Sequence, residues 1–142
     1  MKIQKITRKE ILRGHERYAP LDEDTEKNLE VFLVALNSFR QDYGKPMICV
    51  SGYRPKVYND KIGGAENSAH IYCQAADFHD PDGKLKEFCS EEMLEKHDLY
   101  MEHPLDTPGW CHLQSRKTKN RIFRRGKSAG RTRTDLKEGP SH

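Results

Sequence analysis

Apolar residues repeat at helical spacing in one long segment and in several short ones. Between Asp22 and Tyr43, leucines and phenylalanines recur every three or four residues, which predicts a long helix with one buried face. The segment opens on acidic residues and is followed by Gly44, as is typical of a helix start and a helix end. Shorter helices are predicted over residues 7–14, 56–62 and 84–96.

Short apolar runs bounded by glycine, proline or turn residues predict four strands. These strands cover residues 47–51, 75–79, 99–102 and 110–114. The last two are joined by a turn near Thr107 and form a hairpin with a long loop. In this hairpin Glu102 lies about opposite His112. Because side chains alternate along a strand, Trp110, His112 and Gln114 share one face.

Charge is distributed unevenly along the 142 residues. Charged residues make up 33% of the chain and apolar residues 35%, with a net charge of +3. Residues 115–142 hold ten lysines and arginines against two acids, a net charge of +8. After Phe123 almost no apolar side chains remain to build a core. We therefore predict a folded domain over residues 1–123 and a basic, disordered tail over residues 124–142.

Segments that would place the chain in a membrane or in the secretory pathway are missing from the pattern. No run approaches the roughly 20 apolar residues of a membrane span, and the first 13 residues lack the apolar stretch of a signal peptide. The four cysteines form no Cys-x-x-Cys pair, which argues against a structural zinc knuckle. We expect synthesis in the cytoplasm, with free thiols.

Two histidines and an aspartate are the candidate metal ligands. His70 and Asp77 lie seven residues apart, which does not suit one helical face but does suit a loop or strand that returns through the next strand. His112 follows in the fourth predicted strand. Two histidines and one carboxylate with an open fourth position form a common catalytic zinc shell. The alternative is chance, because seven histidines in this chain produce some accidental pairs.

Arg54 and the glycines at 63–64 are the other candidates for chemistry. Arg54 follows a predicted buried strand, where a guanidinium either faces solvent or offers a planar fork of donors to a carboxylate or an oxyanion. The glycine pair frees the backbone before the His70 loop. No Gly-Lys-Ser/Thr follows the pair, which argues against a nucleotide site.

Taken together and in order, these motifs resemble one family of zinc peptidases. The Ser-x-His and later Asp of residues 68–77, followed by the Trp-x-His of residues 110–112, are similar to the metal motif of the D-Ala-D-Ala carboxypeptidase and L-Ala-D-Glu endopeptidase (M15-like) family. The Ser-Gly-Tyr-Arg-Pro run at 51–55 resembles its upstream arginine motif, and residues 63–68 resemble its loop. One departure is Cys73, which stands where the family usually has Gly.

The resemblance spans roughly residues 21–123 and implies both a fold and an activity. The fold would be α+β, a small antiparallel sheet that carries the metal site and is flanked by helices, as in hedgehog-type domains. The activity would be zinc-dependent hydrolysis of peptide bonds in peptidoglycan stem peptides by a carboxypeptidase or an endopeptidase. With no signal peptide, a phage lysin or virion-associated enzyme fits best. It would act, as a monomer, at the cell wall or periplasm after release or injection.

The resemblance also implies roles for individual residues. The zinc ligands would be His70, Asp77 and His112. Glu102 is the expected general base because the hairpin places it across from His112, and Asp106 is the second candidate. Arg54 would stabilise the oxyanion or hold a substrate carboxylate. Ser68 and Asn67 would hydrogen-bond the substrate backbone.

A second class of function shares the same residues. The chain could be a catalytically silent, metal-containing binding or assembly module, since hedgehog signalling domains resemble this family and use the scaffold for recognition. The presence of Arg54, Glu102 and all three ligands favours an active enzyme.

The basic tail generates a prediction of its own. A segment of this charge is drawn to anionic wall polymers, whereas no aromatic residues lie among its basic ones to stack on nucleic-acid bases. Deleting residues 126–142 should leave activity on a short soluble peptide unchanged. It should reduce activity on intact walls, most strongly at low salt, where charges are least screened. Equal wall binding by both forms in low-salt pelleting assays would contradict a targeting role.

Overall fold

A computed structural model describes residues 4–125, so the tail segment 126–142 lies outside the described residues. The α-helices are α1 (Arg8–Leu12), α2 (Glu23–Tyr43), α3 (Lys56–Lys61), α4 (Lys84–Phe88) and α5 (Glu91–Lys96). The strands are β1 (Cys49–Ser51), β2 (Ala75–His79), β3 (Tyr100–Glu102), β4 (Trp110–Gln114) and β5 (Ile122–Phe123). Short 3₁₀ turns lie at His15–Arg17, Ala69–Tyr72 and Pro104–Asp106.

The long helix α2 forms where the apolar repeat predicts it. The Asp22 side chain caps its start by accepting from the Thr25 backbone N–H at 2.8 Å. Gly44 ends it in the left-handed conformation, with φ of 72°. The buried face of α2 carries Leu29, Phe32, Leu36 and Phe39. Within residues 4–125, no helix combines the length and apolarity that a bilayer crossing requires.

The predicted α+β fold is confirmed, with one strand more than expected. Five strands lie in the order β1-β2-β4-β3-β5, and the pairs β1–β2, β2–β4 and β4–β3 are antiparallel. The added strand β5 pairs with β3 in parallel. It was not predicted because an apolar pair is too short to show a strand period. Backbone bonds from Met101 N–H to Arg121 O and from His103 N–H to Phe123 O hold it in place.

The strand registers bring three of the candidate site residues together on neighbouring strands of the sheet. Asp77 of β2 lies directly opposite His112 of β4. The β3–β4 pairing joins Tyr100 to Gln114 and Met101 to Leu113, so that one residue further Glu102 faces His112. The hairpin register expected from the sequence is thereby confirmed.

The segment 84–96 forms two helices and not the single one predicted. Its break falls at Ser90, whose hydroxyl accepts from the Met93 backbone N–H at 3.1 Å and caps α5. Each half then buries its own leucine, Leu85 in α4 and Leu94 in α5. Capping and burial both favour two shorter helices. The apolar spacing continues across the break, so the sequence pattern did not reveal it.

Gly52 directly follows the last residue of β1. The chain passes there between α1 and the His70 loop. The Tyr53 N–H donates to the Ile11 carbonyl oxygen at 2.8 Å, and the His70 ring donates to the Gly52 carbonyl oxygen at 2.8 Å. A Cβ added at Gly52 would lie 2.1 Å from the Ile11 carbonyl oxygen. Glycine is therefore required here by the close approach of two backbones.

Gly52→Ala should separate α1 from this strand and lower the free energy of unfolding by about 1–3 kcal/mol, the usual effect of overpacking. Urea denaturation of the metal-free protein measures it. Gly44→Ala is the matched control, because open space surrounds its Cβ position and only the left-handed φ is unfavourable. A Gly52→Ala loss no larger than that of the control would contradict the steric argument.

Candidate metal centre

The three candidate ligands meet at the middle of the β2–β4 pair, where Asp77 lies opposite His112. His70 comes from the 3₁₀ turn Ala69–Tyr72, Asp77 from β2 and His112 from β4, and all three are buried. Their possible ligand atoms lie within 4.8 Å of one another. The His112 Nδ1 atom is 2.8 Å from Asp77 Oδ1, and the His70 Nε2 atom is 3.5 Å from Asp77 Oδ2.

A short 3₁₀ turn, and not a strand, presents His70. The Ser68 hydroxyl accepts from the His70 backbone N–H at 3.1 Å and starts the turn. Cys73 ends it with φ of 57°, the left-handed conformation that glycine adopts most easily. The turn therefore keeps the backbone conformation expected of a glycine there, with a buried cysteine side chain in its place.

Hydrogen bonds on the far side of each imidazole fix which nitrogen faces Asp77. His70 donates from Nδ1 to the Gly52 carbonyl oxygen at 2.8 Å, which leaves the Nε2 lone pair directed at the aspartate. His112 donates from Nε2 to the Gln114 Oε1 atom at 2.7 Å, which leaves Nδ1 for the aspartate. The Gln114 amide is itself oriented by donating to the Arg116 carbonyl oxygen at 2.9 Å.

The donor set fits a divalent transition metal. His70 Nε2 and Asp77 Oδ2 are buried and have no hydrogen-bond partner, although buried polar atoms are nearly always satisfied. Two imidazole nitrogens and a carboxylate oxygen are ligands that zinc prefers. A cation between them would satisfy both orphaned atoms at once. The partners behind each ring are of the kind that orients metal-ligating histidines.

The electrostatics of the cluster favour ligation by His70 and Asp77. Burial lowers the pKa of His70 to about 4, aided by the positive charge of Arg54, so this ring is neutral at pH 7. Burial alone would raise the pKa of Asp77, but the electrostatic interaction with both histidines and the hydrogen bond with His112 outweigh it and hold that pKa well below its usual range. For His112, burial is outweighed by the hydrogen bond to Asp77, and its pKa is raised.

Arg54 is placed behind the aspartate. Its side chain is only 1% exposed, and its Nη2 atom lies 3.8 Å from Asp77 Oδ2. Its Nη1 donates to the Asn59 side-chain oxygen at 3.0 Å. Burial lowers the pKa of Arg54 to about 10, against the opposing charge of Asp77, so the guanidinium keeps its charge at neutral pH.

The two candidate bases differ in their surroundings. Glu102 is buried and accepts from Arg125 Nε at 2.8 Å through Oε2. Asp106 accepts from the Arg124 side chain at 3.0 and 3.1 Å and from the Arg125 backbone N–H at 2.8 Å. These hydrogen bonds, that of Arg124 first, lower the pKa of Asp106.

The candidate substrate-binding residues Ser68 and Asn67 lie on the same loop. The Ser68 hydroxyl is engaged as the cap of the His70 turn. Asn67 is exposed on an open depression that Lys56 and Tyr72 also line, and its carbonyl oxygen accepts from Arg116 at 2.6 Å. Asn67 is thus placed to meet a ligand from solvent, whereas Ser68 is held inside the loop.

Two contacts of the site were not predicted from the sequence. Asn59 in α3 bonds Arg54, but a single asparagine in a short helix carries no signal. Arg125 was assigned to the tail by its composition, and only the parallel pairing of β5 carries it to Glu102. By contrast, strand alternation did place Gln114 on the face of His112.

Comparison with protein-family models gives a match over residues 4–113 to the family described as Peptidase M15. The chain therefore belongs to the peptidase M15 family, whose members are metallopeptidases, and the site described above is the part of the chain that could hold the metal. Curated proteins and solved structures gave no match.

Gln114 supplies the first prediction from this site. Gln114→Leu removes the acceptor that holds the His112 proton on Nε2, so zinc affinity should fall by about 10- to 100-fold, as for other partners of metal-binding histidines. Competition with a chromophoric chelator measures it. Gln114→Glu keeps an acceptor at the same place and should retain the affinity. Equal zinc binding by the leucine variant and the parent would contradict the assignment.

Proposed function

We propose that the protein is a zinc-dependent peptidase that hydrolyses peptide bonds in peptidoglycan stem peptides. The observation that carries the proposal is the meeting of His70, Asp77 and His112 around two orphaned buried atoms, in a chain of the peptidase M15 family. The bond cut is either the terminal D-Ala-D-Ala bond or the L-Ala-D-Glu bond. As for where it acts, we propose the bacterial cell wall, as a phage lysin or virion-associated enzyme.

Each of the three candidate ligands would bind the metal through one side chain. His70 and His112 would bind through the nitrogens that face Asp77, and Asp77 would bind through its carboxylate. When bound, zinc lowers the pKa of a coordinated water to about 7, which makes a nucleophile available at neutral pH. Asp77, whose pKa lies well below its usual range, and the neutral ring of His70 hold the protonation states that a metal ligand needs, whereas the raised pKa of His112 makes loss of its proton a cost of metal binding.

Glu102 is the group that would accept the proton of the attacking water and deliver it to the leaving amine. Its place in the sheet, opposite His112, supports this role. Asp106 is a poorer candidate because three hydrogen bonds from Arg124 and Arg125 occupy its carboxylate. Its contacts suit an anchor that holds the end of β5 beside Glu102.

Arg54 would act on negative charge that develops beside the cluster. A guanidinium fixed in a buried site is a strong electrostatic partner for an oxyanion or a substrate carboxylate. Its burial behind Asp77 favours action on charge at the cluster itself. Asn67, exposed on the open depression, would bind the substrate backbone.

One observation favours a second function. The candidate base Glu102 is already ion-paired with Arg125, which suits a metal-containing binding module that performs no chemistry. Incubating purified peptidoglycan with the zinc-loaded protein separates the two. An enzyme releases D-Ala or soluble fragments, stops when a chelator removes the metal and resumes when zinc is restored. Mass spectrometry of the fragments identifies the bond. Zinc and wall binding without any product would support the module.

Glu102→Gln provides the sharpest test of the chemistry. The substitution keeps the shape of the side chain but removes the proton acceptor, so turnover should fall by about 10²- to 10⁴-fold, the usual contribution of a general base. Zinc content should be retained, and the melting temperature should fall only modestly, because a neutral hydrogen bond replaces the ion pair with Arg125. Asp106→Asn is the matched control and should keep most of the activity. Loss of turnover in the Asp106 variant, with near-normal turnover in the Glu102 variant, would assign the base to Asp106.

A further inference from the structure

Asn59 is fully buried in α3 and uses both ends of its side-chain amide. Its Oδ1 accepts from Arg54 Nη1 at 3.0 Å, and its Nδ2 donates to the Ala65 carbonyl oxygen at 2.8 Å. Its own backbone oxygen accepts from the Gly64 N–H at 2.9 Å. Asn59 therefore joins Arg54 to the loop that precedes His70.

The loop at Gly64 packs tightly against the hydrogen bond between Asn59 and Arg54. A Cβ at Gly64 would lie 2.2 Å from Asn59 Oδ1 and 2.9 Å from Arg54 Nη1. The loop backbone thus closes directly over the hydrogen bond between the two side chains. Neither side chain can move toward the loop.

The bond from Asn59 to Arg54 affects how closely Arg54 approaches the Asp77 carboxylate. Arginine and carboxylate pairs close to hydrogen-bond distance, about 2.7–2.9 Å, when nothing prevents it. Here the Arg54 Nη2 atom stands 3.8 Å from Asp77 Oδ2, and both atoms are buried without a hydrogen-bond partner. The bond from Nη1 to Asn59 holds the guanidinium back. As a result Asp77 Oδ2 stays open on the side of His70.

We propose that Asn59 is a positioning residue that keeps Arg54 off the Asp77 carboxylate, so that this oxygen remains available as a metal ligand. Without Asn59, Arg54 closes the ion pair with Asp77 and competes with the metal for the same oxygen. This inference rests on the zinc site of the proposed function. It concerns metal affinity, however, and holds whichever peptide bond is cut.

The test is a double-mutant cycle on zinc affinity, measured by chelator competition with the metal-stripped full-length protein. Asn59→Ala should weaken zinc binding by about 10- to 100-fold, the range for residues that orient metal ligands. In the Arg54→Met background the same substitution should change zinc affinity by no more than about twofold, because the competing guanidinium is gone. A purely structural role would weaken binding equally in both backgrounds.

Two further variants separate the bond to Arg54 from the bond to the loop. Asn59→Asp still accepts from Arg54 but cannot donate to Ala65, so zinc affinity should stay at least as high as in the parent. Gly64→Ala displaces the Asn59–Arg54 pair without removing any polar group, and it should weaken binding as Asn59→Ala does.

Asn37→Ala is the matched control for stability. Asn37 also uses both ends of its amide, accepting from the Ile6 N–H at 2.7 Å and donating to the Ile6 carbonyl oxygen at 3.0 Å. It should lower the melting temperature and leave zinc affinity unchanged. An Asn59→Ala loss that persists with Arg54→Met, or no loss at all, overturns the inference. Failure of the parent protein to bind zinc would overturn the proposed site instead.

Discussion

The buried carboxylate of Asp77 is the group on which the site depends. Both imidazoles and the guanidinium of Arg54 face it, and the side chains of all four residues are almost inaccessible to solvent. An ionised carboxylate is unfavourable in such a place unless opposite charge or hydrogen bonds surround it. The fold provides these partners, but it leaves one carboxylate oxygen and one imidazole nitrogen unsatisfied. Those two atoms distinguish a metal site from a closed ion-pair network.

The rest of the fold brings three partners to that carboxylate. The β2–β4 register delivers His112, and the 3₁₀ turn after Ser68 delivers His70. The turn that follows β1 delivers Arg54, while Gly52 allows α1 to approach closely enough to hold that turn. The sheet thus contributes two ligands, Asp77 and His112, and the turns contribute His70 and Arg54. Precise orientation of this kind is what metal affinity requires.

Local patterns in the sequence were enough to predict the elements that carry the site. Strand alternation placed His112 and Gln114 on one face, because side chains have a two-residue period along a strand. The position of the turn near Thr107 put Glu102 opposite His112. Contacts that depend on tertiary packing could not be predicted in this way. The bond from Asn59 to Arg54 needs the loop at Gly64 to close over it, and the Arg125–Glu102 pair needs the two-residue strand β5. Likewise, the Ser90 cap outweighed a continuous apolar spacing.

We expect one zinc ion to be bound by the two imidazoles through different nitrogens. A crystal structure of the zinc-loaded protein, with anomalous data collected at the zinc absorption edge, tests it directly. We expect a single strong anomalous peak bonded to His70 Nε2, Asp77 and His112 Nδ1. A peak at the buried cysteines, or coordination through His112 Nε2 with Gln114 displaced, would contradict it.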